Sequence, residues 1–196
     1  MKEIILATNN AHKVKELKDI LKGKFDMIYT LADKGIDVEV EETGATFMEN
    51  AIIKATAIAE IAKMPALADD SGICVNALGG APGVYSARYS GGHGNSADNN
   101  ALLLENLKKQ EDMGNTDRSA YFACAIALVY PDGSCVTAQG EAKGEITKGY
   151  IGSGGFGYDP IFFSYDLKKT FGEAGEEEKN AVSHRSRAVA ALCAKL

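Results

Sequence analysis

The chain alternates short, wholly apolar runs with stretches of helical periodicity. Ile4-Ile5-Leu6-Ala7 reads as a buried strand. It runs into Thr8-Asn9-Asn10, after which Val14, Leu17, Ile20 and Leu21 recur at helical spacing, with Asn9 or Asn10 as the N-cap. Asp26 to Thr30 reads as a second strand. Thr46-Phe47-Met48-Glu49 has the S/T-x-x-E form of a capping box and opens an alanine-rich helix to about Lys63, with Phe47, Ala51, Ala55, Ile58 and Ala62 toward the core. Pro65 stops it. Ala66-Leu67-Ala68 is expected as a short strand ending at Asp69-Asp70-Ser71-Gly72, with strand character resuming over Ile73 to Val75. Gly79 to Gly83 and Tyr89 to Gly94 read as loops, and Asp98 to Lys109 as a helix with Leu102, Leu103 and Leu107 inward. Tyr121 to Tyr130 and Cys135 to Glu145 flank Pro131-Asp132-Gly133, the pattern of a β-hairpin. Ile161 to Phe163 is another strand, and a last helix begins near Ser183 with Ala188, Val189 and Leu192 inward. Mixed elements with a hairpin in the second half predict an α/β fold on a mixed sheet. With no internal repeat and no long linker, residues 1–196 are expected to form a single domain.

Composition narrows the class. Hydrophobic residues make up 45% and charged residues 24%, the balance of a soluble globular protein. No apolar run approaches membrane-spanning length. The apolar part of the N-terminus is too short for a secretory signal, so a cytoplasmic protein is the default expectation. A net charge of −6 disfavours a sequence-independent grip on nucleic acid, but leaves room for a small anion held by local cations. Cys74, Cys124, Cys135 and Cys193 form no C-x-x-C pair and read as reduced core residues. His12, His93 and His184 are scattered, which disfavours zinc; a hard ion held by carboxylates is the better expectation.

Candidate chemistry gathers at several places. Thr8-Asn9-Asn10-Ala11-His12-Lys13 joins a strand to a helix N-terminus, where unpaired N–H groups and a lysine suit phosphate; an ordinary capped turn with a surface lysine is the alternative. Glu41-Glu42-Thr43 pairs two acids before a turn, and suits either a cation or a solvated loop. Asp69-Asp70-Ser71-Gly72 sets adjacent carboxylates at the expected end of a strand, where they repel unless a cation or hydrogen bonds compensate. In Gly154-Gly155-Phe156-Gly157-Tyr158-Asp159-Pro160, glycines admit close approach, Phe156 offers a stacking face and Asp159 an acceptor. Gly152-x-Gly154-x-x-Gly157 also matches the dinucleotide fingerprint, but a proline and a β-rich run follow where that motif needs a helix. Lys179, Ser183, His184 and Arg185 offer donors near the last helix, or simply a charged approach to it. Glu49 reads first as the capping acid, and Lys54 as a surface charge or a group aimed into a cleft. No G-x-S-x-G elbow supports a serine triad, and a glycosidase pair would leave the cations unexplained.

These motifs, with Gly79-Gly80-Ala81-Pro82-Gly83-x-Tyr85-Ser86-Ala87-Arg88-Tyr89, occur in one order from Ile4 to the final helix. Together they resemble the inosine triphosphate pyrophosphatase, or Ham1-like, family. The resemblance implies an elongated mixed sheet with flanking helices, two lobes around a central nucleotide-binding cleft, and a homodimer. It implies hydrolysis of ITP, dITP and XTP to the monophosphate and pyrophosphate with Mg2+. By position, residues Thr8, Asn9, Asn10, Ala11, His12 and Lys13 would hold the triphosphate. Glu41 and Asp70 would bind Mg2+, and Asp70 would also accept the proton of the attacking water. Ser71 and Lys54 would contact phosphate, while Phe156, Gly157, Tyr158 and Asp159, completed by Lys179, His184 and Arg185, would form the base pocket. Asn9 stands where a small residue is common, and Phe171 to Gly175 is richer in glycine than the usual approach to the lysine. A pyrimidine-directed pyrophosphatase and a non-catalytic nucleotide sensor are the competing readings.

Overall fold

A computed structural model describes residues 2–92 and 95–196. His93 and Gly94, the end of the loop read after Tyr89, lie outside them. The strands are β1 (Glu3–Leu6), β2 (Met27–Thr30), β3 (Ala66–Val75), β4 (Ser119–Val129), β5 (Cys135–Ile146), β6 (Phe162–Ser164) and β7 (Lys169–Thr170). The helices are α1 (Ala11–Leu21), α2 (Phe47–Ala62), α3 (Ser96–Asp112), α4 (Glu176–Val182) and α5 (His184–Cys193). The strands form a seven-stranded sheet in the order β2-β1-β3-β4-β5-β6-β7. It is mixed, because β1 pairs parallel with β2 and β3 while β6 pairs antiparallel with β5 and β7.

Two compact units divide the chain: Met1–Asp70 with Cys124–Gly140 and Arg185–Leu196, and Ser71–Ala123 with Glu141–His184. In the first unit, strand alternation sends side chains to two separate cores. Ile4, Leu6, Leu67, Cys124, Ile126 and Leu128 pack with Leu17 and Leu21 of α1 and with Ala188, Val189 and Leu192 of α5. Their sequence neighbours Ile5, Ala7, Ala66, Ala68, Ala125 and Ala127 pack instead with Ala51, Ala55, Ile58 and Ala59 of α2. Alanine on both partners lets α2 lie close to its strands, whereas the other face is filled by leucine and isoleucine. In the second unit Ile73, Val75, Leu103, Leu107, Phe122, Phe162 and Phe171 form the core. There Phe122 meets Phe162 edge-on at 4.7 Å and Phe171 face-on at 5.9 Å.

The pattern located most elements. Asn10 caps α1 and Thr46 caps α2 through a complete capping box with Glu49, an arrangement worth about 0.5–2 kcal/mol. Two features differ from expectation. Residues 66–75 make one unbroken ten-residue strand, so Asp69, Asp70 and Ser71 stand in mid-strand and not at a strand's end. The short elements β7 and α4 were not predicted: two residues show no period, and α4 begins Glu176-Glu177-Glu178 with apolar residues only at its end.

Candidate active site

The start of α1 is organised by its own side chains. Thr8 Oγ1 accepts the Asn10 N–H at 3.2 Å, and Asn10 Oδ1 accepts those of His12 and Lys13 at 3.0 and 3.2 Å. Asn9 Nδ2 donates to the Val38 carbonyl at 3.3 Å. The N–H groups suited to an anion are therefore lined up at the helix start with the Asn10 carboxamide oxygen in the acceptor's place. Ala11 opens the helix, and Lys13 reaches back to Asp69 at 3.2 Å.

Asp69 and Asp70 are adjacent on β3, so alternation turns them to opposite sides of the strand. Asp69 follows Leu67 toward α1 and α5. It is completely buried, and Arg185 grips its Oδ2 with Nε at 3.1 Å and Nη2 at 3.0 Å while Nη1 binds Glu16. Burial alone would raise its pKa, but Lys13, Arg185 and Lys54 more than offset this and hold the carboxyl well below the usual range. Asp70 follows Ala68 toward α2. Asn50 Nδ2 donates to its Oδ2 at 3.0 Å, and Lys54 Nζ stands 3.9 Å from its Oδ1. Here burial wins: the Asp70 pKa is raised, with Glu42 adding to the rise and Lys54 and Lys13 opposing it. A carboxyl with increased proton affinity beside ammonium groups is suited to accept a proton.

Asn50 and Lys54 share the inner face of α2 by their four-residue spacing. Lys54 Nζ also donates to the Asp69 carbonyl at 2.7 Å and pairs with Glu42 at 2.6 Å. Burial opposes its charge, yet Asp69, Asp70 and Glu42 raise its pKa above the ordinary lysine value. The acidic loop is tied to the same helix, since the Gly44 N–H donates to Asn50 Oδ1 at 2.8 Å. A Cβ at Gly44 would lie 2.6 Å from the Glu49 Cβ, so only glycine allows this approach. The loop brings Glu42 to Lys54, whereas Glu41 is exposed and, among the described residues, no ion pair or hydrogen bond draws it toward Asp70. Among the described residues, no group of three or more potential metal-binding side chains is gathered. Asp70 and the acidic loop nonetheless supply hard oxygen donors of the kind Mg2+ takes, and that ion commonly uses only one or two carboxylates and completes its shell with water and phosphate.

In the second unit the Phe156–Asp159 turn is closed on itself. Asp159 Oδ2 accepts the Phe156 N–H at 2.8 Å, and the Asp159 N–H donates to the Phe156 carbonyl at 3.2 Å. Gly155 has φ +71°, and a Cβ there would strike the Asp159 carboxylate. Lys179, buried on α4, pairs with Asp159 Oδ2 at 2.6 Å and lies 4.7 Å from the centroid of the Phe156 ring. The aromatic face, the carboxylate and the ammonium thus form one rigid cluster. Tyr158 is buried in the core of this unit, and the His184 ring stacks on Phe122 at 4.8 Å with 12° between planes. Ser71 is the one half-buried residue of β3.

The model of the Ham1 family matches residues 4–195. The chain belongs to that family. It is 48% identical over 98% of its length to a dITP/XTP pyrophosphatase of Clostridium perfringens, covering 96% of that protein. A dITP/XTP pyrophosphatase of Thermus thermophilus is 46% identical over 97% of the chain and 89% of its own length. Among solved structures, a HAM1 protein from Coxiella burnetii superposes with a TM-score of 0.88 at 39% identity, covering 100% of this chain and 98% of that one. The Staphylococcus aureus Ham1 protein gives 0.86 at 41% identity, covering 99% and 97%. The α/β fold with its mixed sheet, expected from the resemblance, is that of these Ham1 proteins.

In this Ham1 chain the structure brings Lys13, Lys54 and Asp70 together in the first unit, and Phe156, Asp159 and Lys179 in the second. The glycine-rich approach to Lys179 ends in Gly175, which caps α4 and leaves the lysine buried against Asp159. Arg185 is turned to carboxylates, with 1% of its surface exposed. Sequence reasoning assigned no role to Glu16, Asn50 or Asn100. Asn50 carried a signal: it is a polar residue on the inner stripe of an otherwise alanine-rich helix.

Proposed function

We propose that this chain is a nucleoside triphosphate pyrophosphatase that hydrolyses ITP, dITP and XTP to the monophosphate and pyrophosphate, clearing non-standard purines from the nucleotide pool. Its relatives of nearly half-identical sequence carry the name dITP/XTP pyrophosphatase. The observation that carries the chemistry is Asp70, a carboxyl whose burial raises its proton affinity while Asn50 orients it and Lys54 lies beside it.

In this reading Asp70 takes a proton from the water that attacks the α-phosphorus, and pyrophosphate leaves. Residues Thr8 to Lys13, Lys54 and Ser71 hold the triphosphate, with lysine charge neutralising its oxygens. Glu41 and Asp70 would hold Mg2+, which when bound supplies charge neutralisation and polarises the phosphate. Phe156 stacks on the purine, with Gly157, Asp159 and Lys179 shaping its site. His184 donates toward the 6-oxo group. Arg185, anchored on Asp69 and Glu16, fixes the first turn of α5 on which His184 stands. Adenine carries an amino group at that position and would leave a buried donor unpaired, a penalty of about 1–3 kcal/mol. The same reading takes residues 1–196 as a single catalytic domain, forming a homodimer in the cytoplasm.

The test is pyrophosphate release from ITP, XTP, GTP and ATP, with and without Mg2+. Release from ITP and XTP alone, dependent on Mg2+, is the expected result. Release from all four at equal rates would remove the base-selection assignment, and release from none would remove the activity.

A further inference from the structure

Asn100, in the second unit, has no part in the reading above. Asn100 sits on the inner side of α3 with Leu103 and Leu107 and is 1% exposed. Its Nδ2 donates to the Gly157 carbonyl at 3.1 Å. Its Oδ1 is buried and has no hydrogen-bond partner among the described residues. An apolar residue at this position would leave the Gly157 carbonyl without this donor, so the asparagine is what ties α3 to the turn.

The next residue of the same turn is anchored as well. The Tyr158 hydroxyl donates to the Ser86 carbonyl at 2.8 Å, with its ring buried in the apolar core. Ser86 is itself fixed: its hydroxyl donates to the Gly83 carbonyl at 2.6 Å and accepts the Ile73 N–H at 2.9 Å. Ile73 lies two residues beyond Ser71 on β3. Asn99 adds a donor to the Ser86 carbonyl at 3.3 Å and accepts the Ser90 N–H and hydroxyl at 2.8 Å. Asp159 and Lys179 thus hold one end of the turn, and Asn100 and Tyr158 hold the other. Between them is Gly157, at φ +62°, a residue free to swing if its carbonyl is released.

We propose that Asn100 and Tyr158 are positioning residues for base recognition, which fix the turn bearing Phe156 to α3 and to the Gly83–Arg88 segment without touching the base themselves. This deepens the proposed function and rests on its assignment of Phe156 to the purine. Tyr158 thereby acts through its hydroxyl and the core, not as a wall of the base site.

Asn100→Ala and Tyr158→Phe test this with ITP and Mg2+, alongside inhibition by inosine monophosphate, which carries the base, and by inorganic tripolyphosphate, which does not. Each variant is expected to raise the KM for ITP and the inhibition constant of inosine monophosphate by roughly 3–10-fold, the loss of one buried hydrogen bond. The kcat and the tripolyphosphate constant are expected to stay within about twofold of wild type, because uniform binding alone is lost. A fall in kcat through loss of folded enzyme, with KM and both inhibition constants unchanged, would overturn the proposal. So would equal weakening of both inhibitors. Should Asn100→Ala fail to fold by circular dichroism, Tyr158→Phe, which keeps the ring in the core, decides alone. Wild-type enzyme that releases no pyrophosphate from ITP would instead break the reading on which the proposal rests, and the proposal with it.

Discussion

The two sides of β3 at residues 69 and 70 treat the same side chain in opposite ways. Toward α1 and α5, Asp69 is held by Lys13 and Arg185, the latter also bound to Glu16, and its carboxyl lies far below the usual range. Toward α2, Asp70 has an amide donor and a more distant ammonium, and its proton affinity rises. The first is gripped by cations in contact; the second keeps the raised proton affinity that the proposed base requires. Hydrogen-bonded cations in contact lower a buried carboxyl, and burial wins where they stand farther off. Two adjacent acids that looked mutually repulsive in one dimension are separated by the pleat into different electrostatic surroundings.

Asp70→Asn tests the reactive side and has the largest expected effect: pyrophosphate release falls by about 10²–10⁴-fold, the usual contribution of a general base. The urea midpoint does not fall, because a neutral amide removes a buried charge. Retained turnover would end the assignment. On the anchoring side, Asp69→Asn leaves Arg185 with Glu16 alone of its two acidic partners named above and costs about 3–5 kcal/mol of stability, read from urea unfolding. An unchanged midpoint would break the comparison from that side.

Acid pH separates the two residues again. Because the folded Asp69 carboxyl lies below its unfolded value of about 3.9, its stabilisation is present above that value and is lost as pH falls toward the folded one. Asp70 has the opposite sign: its folded pKa is raised, so its contribution is present below the unfolded value and is lost as pH rises through the folded one. Stability is therefore expected to drop below about pH 4, a slope that Asp69→Asn flattens. In the metal-free protein the Asp70 carboxyl is expected to titrate above the ordinary aspartate range, a signal followed by NMR and lost in Asp70→Asn. The smallest effect is expected at Thr46→Ala, which removes the cap of the helix carrying Asn50 and Lys54 and costs about 0.5–2 kcal/mol by thermal or urea unfolding.

Much of this was legible along the chain. Strong periodicity and caps at Asn10 and Thr46 located α1 and α2, and turn residues at Pro131-Asp132-Gly133 marked the hairpin. The ordered motifs carried the family and, through it, the candidate residues. The unbroken course of β3 was not legible, because two aspartates in succession look like the end of a strand until their partners are known. The partners of Arg185 were hidden for the same reason: Asp69 is 116 residues away and Glu16 is 169.

By itself the sequence determined most of the elements, the class of fold and the family, since hydrophobic period, caps and motif order are local properties that one chain displays directly. Only the tertiary structure decided which of the two acids is lowered by contacting cations and which is raised by burial, that Glu42 rather than Glu41 meets Lys54, and that Asn100 and Tyr158 hold the turn carrying Phe156. Those distinctions depend on burial and on charges brought from distant segments. A carboxyl takes its proton affinity from its surroundings in space, and a list of residues contains no such surroundings until the chain has folded.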